Sequence, residues 1–201
     1  MANETHFFST TPSTREEILE ATFYALCEHG YADLTISKIV DHFNKSQSLI
    51  YHHYEDKDDL LLDLLEYMLE EFESQVPVST QSPKAYIYEI VDQIFGDAEG
   101  SNAQFSKAVL ELRAQTAHNE KYRELFRRSD EFVQKQIALV IREGNEQGVF
   151  DVEKPKQAAA LFQTVIVGVQ GQQTINENNI IGSSKIEFRR YIDQCLISSN
   201  E

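Results

Sequence analysis

Apolar residues return every three or four positions along almost the whole chain, a period that fits helices and leaves no place for a half-buried strand. In residues 14–29, Ile18, Ala21, Thr22, Ala25 and Leu26 share one face. A Thr14-x-x-Glu17 capping box precedes them, and Gly30 stands where a helix is commonly closed. Thr35 heads a short helix over 36–43 and Ser46 another over 47–53. Asp56 heads a long one over 57–75, with Asp58 and Asp59 in its first turn, where the helix dipole favours anions. The segment VPVSTQSP at 76–83 is the clearest break, and Ser82-Pro83 reopens a helix to Phe95 with Ile87, Ile90, Val91, Ile94 and Phe95 inward. Further helices are expected at 102–117, with Phe105, Val109, Leu112 and Thr116 on one face and Glu111 and Arg113 on a solvated one. The longest, 120–146, lines up Tyr122, Leu125, Phe126, Val133, Ile137, Val140 and Ile141 before Gly148. Pro155 opens the next, 155–175, and a Ser184-x-x-Glu187 box caps the last, 184–198. The reading is an all-α chain of nine helices in two regions that divide near 57–80.

Composition narrows the possible partners. Of 201 residues 41% are hydrophobic, enough for a true core, yet 33 Asp and Glu face 18 Lys and Arg, a net charge of −15. Such a balance excludes a general electrostatic coat on nucleic acid or on anionic lipid, but not site-specific DNA binding through a local acid-free face. Cys27 and Cys195 are far apart and offer neither a metal spacing nor a disulfide framework, which points to a reducing compartment. MANETHFFST lacks the basic and apolar regions of a signal peptide, and no run of 18 apolar residues occurs. The expectation is a soluble cytoplasmic protein with no membrane partner.

Residues 35–54, TISKIVDHFNKSQSLIYHHY, read as two short helices joined by a tight turn at Phe43–Ser46. Ile36, Ile39, Val40 and Phe43 pack the first, Leu49 and Ile50 the second, leaving Gln47, Ser48, Tyr51 and His52 outward. Asn44 suits the turn because it tolerates a left-handed backbone better than other non-glycine residues. This is a helix-turn-helix arrangement, whose second helix enters the major groove while the first crosses the backbone. Residues 42–54 contain no acid. His42, His52 and His53 could be taken for a metal cluster, but neighbouring residues on a helix point apart, so no metal and no cofactor is expected.

These residues resemble the DNA-binding domain of TetR-family transcriptional regulators. The matching positions are Ile18-Leu19-x-Ala21, Gly30-Tyr31, Leu34-Thr35-Ile36-x-x-Ile39, Ser46, and Ile50-Tyr51-His52-His53-Tyr54-x-x-Lys57-x-x-Leu60-Leu61. The resemblance is strong over about sixty residues, Thr14–Phe72; the remainder matches only in length and helicity. It implies a DNA-binding domain over 12–72, with the motif at 35–54 and a connecting helix at 57–75, and an effector-binding and dimerisation domain over 76–201. Thr35 would bind phosphate through its hydroxyl and helix start. Lys45, Gln47, Ser48 and His52 would face the bases, Gln47 being able to pair bidentately with adenine, and Ser46 would also contact DNA. Tyr51, His53 and Lys57 would hold phosphate or sugar. Tyr54 belongs to the core. Where the family usually has Ala-Gly-Val before the serine, this chain has Phe43-Asn44-Lys45, and Ser48 replaces a usual glycine; both bear on which sequence is read.

The resemblance also implies a homodimer on double-stranded operator DNA and a small-molecule effector. Leu161, Val165 and Gly168, on a stripe with Ala160 and Thr164, and Phe188, Tyr191, Ile192 and Cys195 supply two helix faces for an isologous four-helix interface. Phe95, Phe105, Tyr122, Phe126 and Phe162, with Gln115 and Thr116 among the polar groups beside them, could line a pocket for a mostly apolar ligand; an ordinary aromatic core is the alternative. No nucleophile elbow, phosphate loop or metal spacing argues for an enzyme. The function expected is a ligand-responsive regulator, most simply a repressor released by its effector. The alternative is a helix-turn-helix protein acting constitutively or through a protein partner. The acid excess reads as adaptation to a salt-accumulating cell.

Overall fold

A computed structural model describes residues 8, 11–76, 80–96, 101–174 and 179–198. Among these residues the fold is all-α: α1 (Thr14–Asp33), α2 (Ile36–Asp41), α3 (Gln47–His53), α4 (Lys57–Gln75), α5 (Pro83–Ile94), α6 (Ser101–Ala114), a 3-10 turn (Gln115–Ala117), α7 (Glu120–Glu146), α8 (Pro155–Gln173) and α9 (Asn179–Cys195). Two compact units result. The first holds residues 1–74 with 99–127, the second 75–98 with 128–201.

The first unit is built on α1. Its capping box lies one residue earlier than the sequence suggested. Ser13 Oγ accepts from the Glu16 N–H at 3.3 Å, and Glu16 Oε2 accepts from the Ser13 N–H at 2.7 Å. Glu17 is thereby freed for another task. Gly30 interrupts the helix with φ +72°, a backbone that L side chains rarely adopt, and an added Cβ would sit 3.3 Å from Glu111 Oε1. Glu111 and Arg113 are therefore not a solvated face: Glu111 accepts from the Tyr31 N–H at 3.2 Å, and the Arg113 guanidinium lies 4.2 Å from the centre of the Phe126 ring. α4 starts where Asp56 Oδ1 accepts from the Asp59 N–H at 2.9 Å. Its Leu60, Leu61, Leu64, Leu65 and Met68 are fully buried with Ile18, Leu19 and Leu26 of α1 and Leu112 of α6. Each such side chain contributes roughly 1.5–3 kcal/mol by leaving water.

The second unit closes around Phe162. Ile87 and Val91 of α5 with Phe95 just after it, Ile137 and Ile141 of α7, and Phe188 and Ile192 of α9 with Leu196 just after it join it in one core. Gly148, at φ +75°, ends α7, and the Val149 and Phe150 N–H groups donate to Gly144 O at 2.9 and 3.1 Å. Phe150 folds back so closely that a Cβ on Gly144 would meet its ring at 2.0 Å. An isolated bridge between Phe150 and Ile197 ties the end of α9 to this turn. α9 begins at Asn179, not at 184, so Ser184 and Glu187 lie within the helix and make no capping box. The 102–117 helix likewise gives way to the 3-10 turn after Ala114.

Candidate nucleic-acid interface

α2 and α3 owe their positions to a few buried groups. Ile39 of α2 and Ile50 of α3 have no exposed surface, and Phe43 between them is buried as well. Thr35 caps α2, its Oγ1 accepting from the Lys38 N–H at 3.3 Å, so its hydroxyl proton is free to donate outward. Ser46 stands at the start of α3 without capping it; its hydroxyl lies 2.9 Å from that of Ser48. One turn of surface then runs along α3. Thr35, Lys45, Ser46, Gln47, Ser48, Tyr51, His52 and His53 are all exposed, Tyr51 by 55%. The ring centres of His52 and His53 are 5.7 Å apart with planes at 84°, so the two imidazoles diverge.

The two lysines assigned to DNA are not idle in the free chain. Lys45 forms an ion pair with Glu17 of α1, the carboxylate left over when the capping box moved to Glu16. Lys57 is half-buried, donates to Tyr31 O at 3.2 Å and sits 4.7 Å from the centre of the Tyr31 ring. The Tyr31 hydroxyl donates to Asp58 at 3.0 Å, and burial, reinforced by Asp58, pushes its pKa up to about 12.

α3 is fastened at its far end by a network the sequence did not announce. Arg15 of α1 grips Asp63 of α4 with two hydrogen bonds of 2.9 and 2.5 Å, and the buried Tyr54 donates its hydroxyl to the same carboxylate at 2.6 Å. Burial alone would raise the Asp63 pKa, but the hydrogen bonds from Arg15 and Tyr54 outweigh it and leave the carboxyl below its ordinary value. A carboxyl lowered by folding stabilises the fold above its unfolded pKa, and that stability disappears as pH falls through the folded one. Asp63→Asn is therefore expected to cost about 1–2 kcal/mol at neutral pH, a value reduced for the part-exposed Arg15. Chemical denaturation should find the gap between variant and wild type closing as the pH falls below the ordinary aspartate range.

The effector candidates are distributed over both units. Phe105, Gln115, Thr116, Tyr122 and Phe126 belong to the first unit, Phe95 and Phe162 to the second. Tyr122 and Phe126 are core residues, and Phe105 stacks on Phe72 at 6.4 Å. Phe162 meets Phe188 edge-on at 4.8 Å, with Phe95 6.0 Å from Phe188 on another side. The dimer candidates divide by exposure. Leu161, Gly168 and Cys195 are exposed and Val165 and Tyr191 half-buried, whereas Phe188 and Ile192 point into the second unit's own core. α8 turns Ala158, Ala159, Phe162 and Gln163 inward, and space is open around Gly168 and Gly171.

Residues 18–64 match the family of bacterial regulatory proteins, tetR family, and residues 83–194, over half of the chain, match the C-terminal region of BetI-type transcriptional repressors. The chain belongs to the TetR family. This is a family of transcriptional regulators and not of enzymes. A TetR transcription regulator from Haloarcula marismortui ATCC 43049 is 34% identical over 90% of this chain and 97% of that one, with a TM-score of 0.80. The HTH-type transcriptional regulator BetI of Stenotrophomonas maltophilia (strain R551-3) is 28% identical over 124 residues, 60% of this chain and 63% of its own. The match thus spans less than two thirds of that curated relative. A transcriptional regulator from Saccharomonospora viridis, solved in complex with choline, shares the fold at 20% identity, with a TM-score of 0.78 over 92% of this chain and 97% of that one. No helix among the described residues is long and apolar enough to cross a membrane.

Proposed function

We propose that this TetR-family chain is a dimeric transcriptional repressor that reads double-stranded operator DNA through α3 and leaves it when a small, mostly apolar effector binds. The reading rests on one observation above the others: the exposed, acid-free face of α3, Gln47 to His53, in a chain otherwise rich in acid. Residues 12–72 form the DNA-reading part and 76–201 the effector and dimerisation part. Thr35, Tyr51, His53 and Lys57 hold the sugar-phosphate backbone; Lys45, Gln47, Ser48 and His52 face the bases, and Ser46 contacts DNA beside them. The two copies meet through the open face of α8, with Leu161, Val165 and Gly168, and the Tyr191 and Cys195 side of α9. An operator read by two recognition helices needs half-sites one helical turn or a multiple apart, which a symmetric dimer supplies.

The effector acts as a shift between two states of the dimer, and only through its different affinity for them. α4 carries the change, because it is the chain segment that joins the DNA-reading helices to Gln75, where the second unit begins. The Saccharomonospora viridis structure with choline supports a methyl-rich cation as the first compound to try, since aromatic rings attract such groups. Choline and a panel of apolar compounds, titrated into the complex with DNA from upstream of its own gene, should include one that releases the DNA and raises the thermal midpoint. If none does either, the protein acts without an effector, constitutively or through a protein partner. The acid excess supports work at high salt in the cytoplasm.

A further inference from the structure

We propose that the first unit carries a divalent transition-metal site made by Glu28, His29 and His42, none of which is a residue of the recognition face or an effector candidate. One ligand atom from each of the three lies within 4.8 Å of the others. The Glu28 carboxylate bridges the two rings, with one oxygen 3.2 Å from His42 Nε2 and the other 3.8 Å from His29 Nε2. The three come from two helices. Glu28 and His29 are the last residues of α1 before Gly30 breaks it at φ +72°, and His42 is the C-cap of α2. An ion there would lie against the C-terminal ends of two helical segments, where the helix dipole favours positive charge. Two imidazoles and a carboxylate are the donors of zinc and its first-row neighbours, and not of calcium or magnesium, which take oxygen ligands. Glu28 and His42 also line an open cleft of about 440 Å³ with Tyr24, Cys27, Gln104 and Lys107, which leaves room for water at the remaining coordination position. Cys27 takes no part, because its thiol donates to Gln104 O at 3.5 Å.

Such an ion clips the end of α1 to the end of α2, immediately before the turn that leads into α3. The probe is Co²⁺, whose visible absorption reports coordination by protein ligands, added to the tag-free, full-length chain. Wild type should bind one Co²⁺ per chain, Zn²⁺ should displace it, and Zn²⁺ should raise the thermal midpoint. His42→Ala and Glu28→Gln, both at exposed positions, should keep the wild-type helical content and weaken binding by more than about tenfold. A wild-type chain that shows no Co²⁺ absorption, or an affinity unchanged in His29→Ala/His42→Ala, would overturn the assignment.

Discussion

Phe162→Ala is expected to destabilise the second unit by about 3–5 kcal/mol, the usual cost of deleting a buried phenylalanine ring. The reason is geometric. Phe162 has no exposed surface, its ring meets Phe188 edge-on at 4.8 Å, and Phe188 is in turn stacked with Tyr191 at 6.0 Å. Removing the ring deletes the apolar burial and leaves a cavity that α5, α7 and α9 cannot all move to fill, because Phe95, Ile141 and Ile192 are themselves packed. A thermal midpoint on the order of 10 °C lower follows for a chain of this size. The experiment also decides between the two roles the sequence left open. A core ring costs several kcal/mol whether or not a ligand is present. A pocket wall costs far less, and its loss appears mainly as a changed response to the effector.

Gln47→Ala is expected to weaken operator binding by roughly tenfold to a hundredfold, since a bidentate contact between an amide side chain and a base edge discriminates by about 1–3 kcal/mol. Tyr51→Ala adds a uniform loss across sequences, as removal of a backbone contact does. Lys45 behaves differently because its ammonium is already paired with Glu17. DNA must compete for it, so Lys45→Ala costs less than an unpaired lysine would. Glu17→Gln should then strengthen binding, by freeing Lys45 and removing one acid near the recognition turn. A dimer carries twice the −15 of one chain, which makes this sign change visible at low salt. At 1 M salt repulsion is screened within about 3 Å. Phosphate contacts lose most of their counterion-release advantage there too, and the contribution of Gln47 should dominate.

Helix periodicity made nearly all of the fold legible, because burial on one face repeats with the helix itself. Ile87, Val91 and Phe95 or Tyr122, Phe126, Ile137 and Ile141 read as inward from their spacing alone, and they are buried. Helix ends were harder. Ser13 and Thr14 are both good caps with a glutamate three residues on, and only backbone geometry selects Ser13. At Ser184 a sound capping signature lies inside a helix that starts five residues earlier, since capping residues are tolerated where neighbours hold the helix. α8 has apolar side chains on two faces, so its period could not say which one the chain itself buries; Phe162 and Val169 go in while Leu161 stays out. What local pattern could not show were contacts between distant residues. Arg15 with Asp63, Glu17 with Lys45, Glu111 with Tyr31, and Glu28 with His42 each join separate segments of the chain. A lone charge on a helix carries no signal of its partner.

Central to this account is that α3 reads a specific DNA sequence. Fluorescence anisotropy with labelled DNA from upstream of its own gene, at low salt and in molar potassium chloride, tests it most directly. Wild type should bind saturably and in preference to unrelated DNA at both salts, Glu17→Gln should bind more tightly at low salt, and Gln47→Ala/Tyr51→Ala should fall to the level of unrelated DNA. A double variant that folds normally and binds as wild type does would contradict the placement of α3 in the groove.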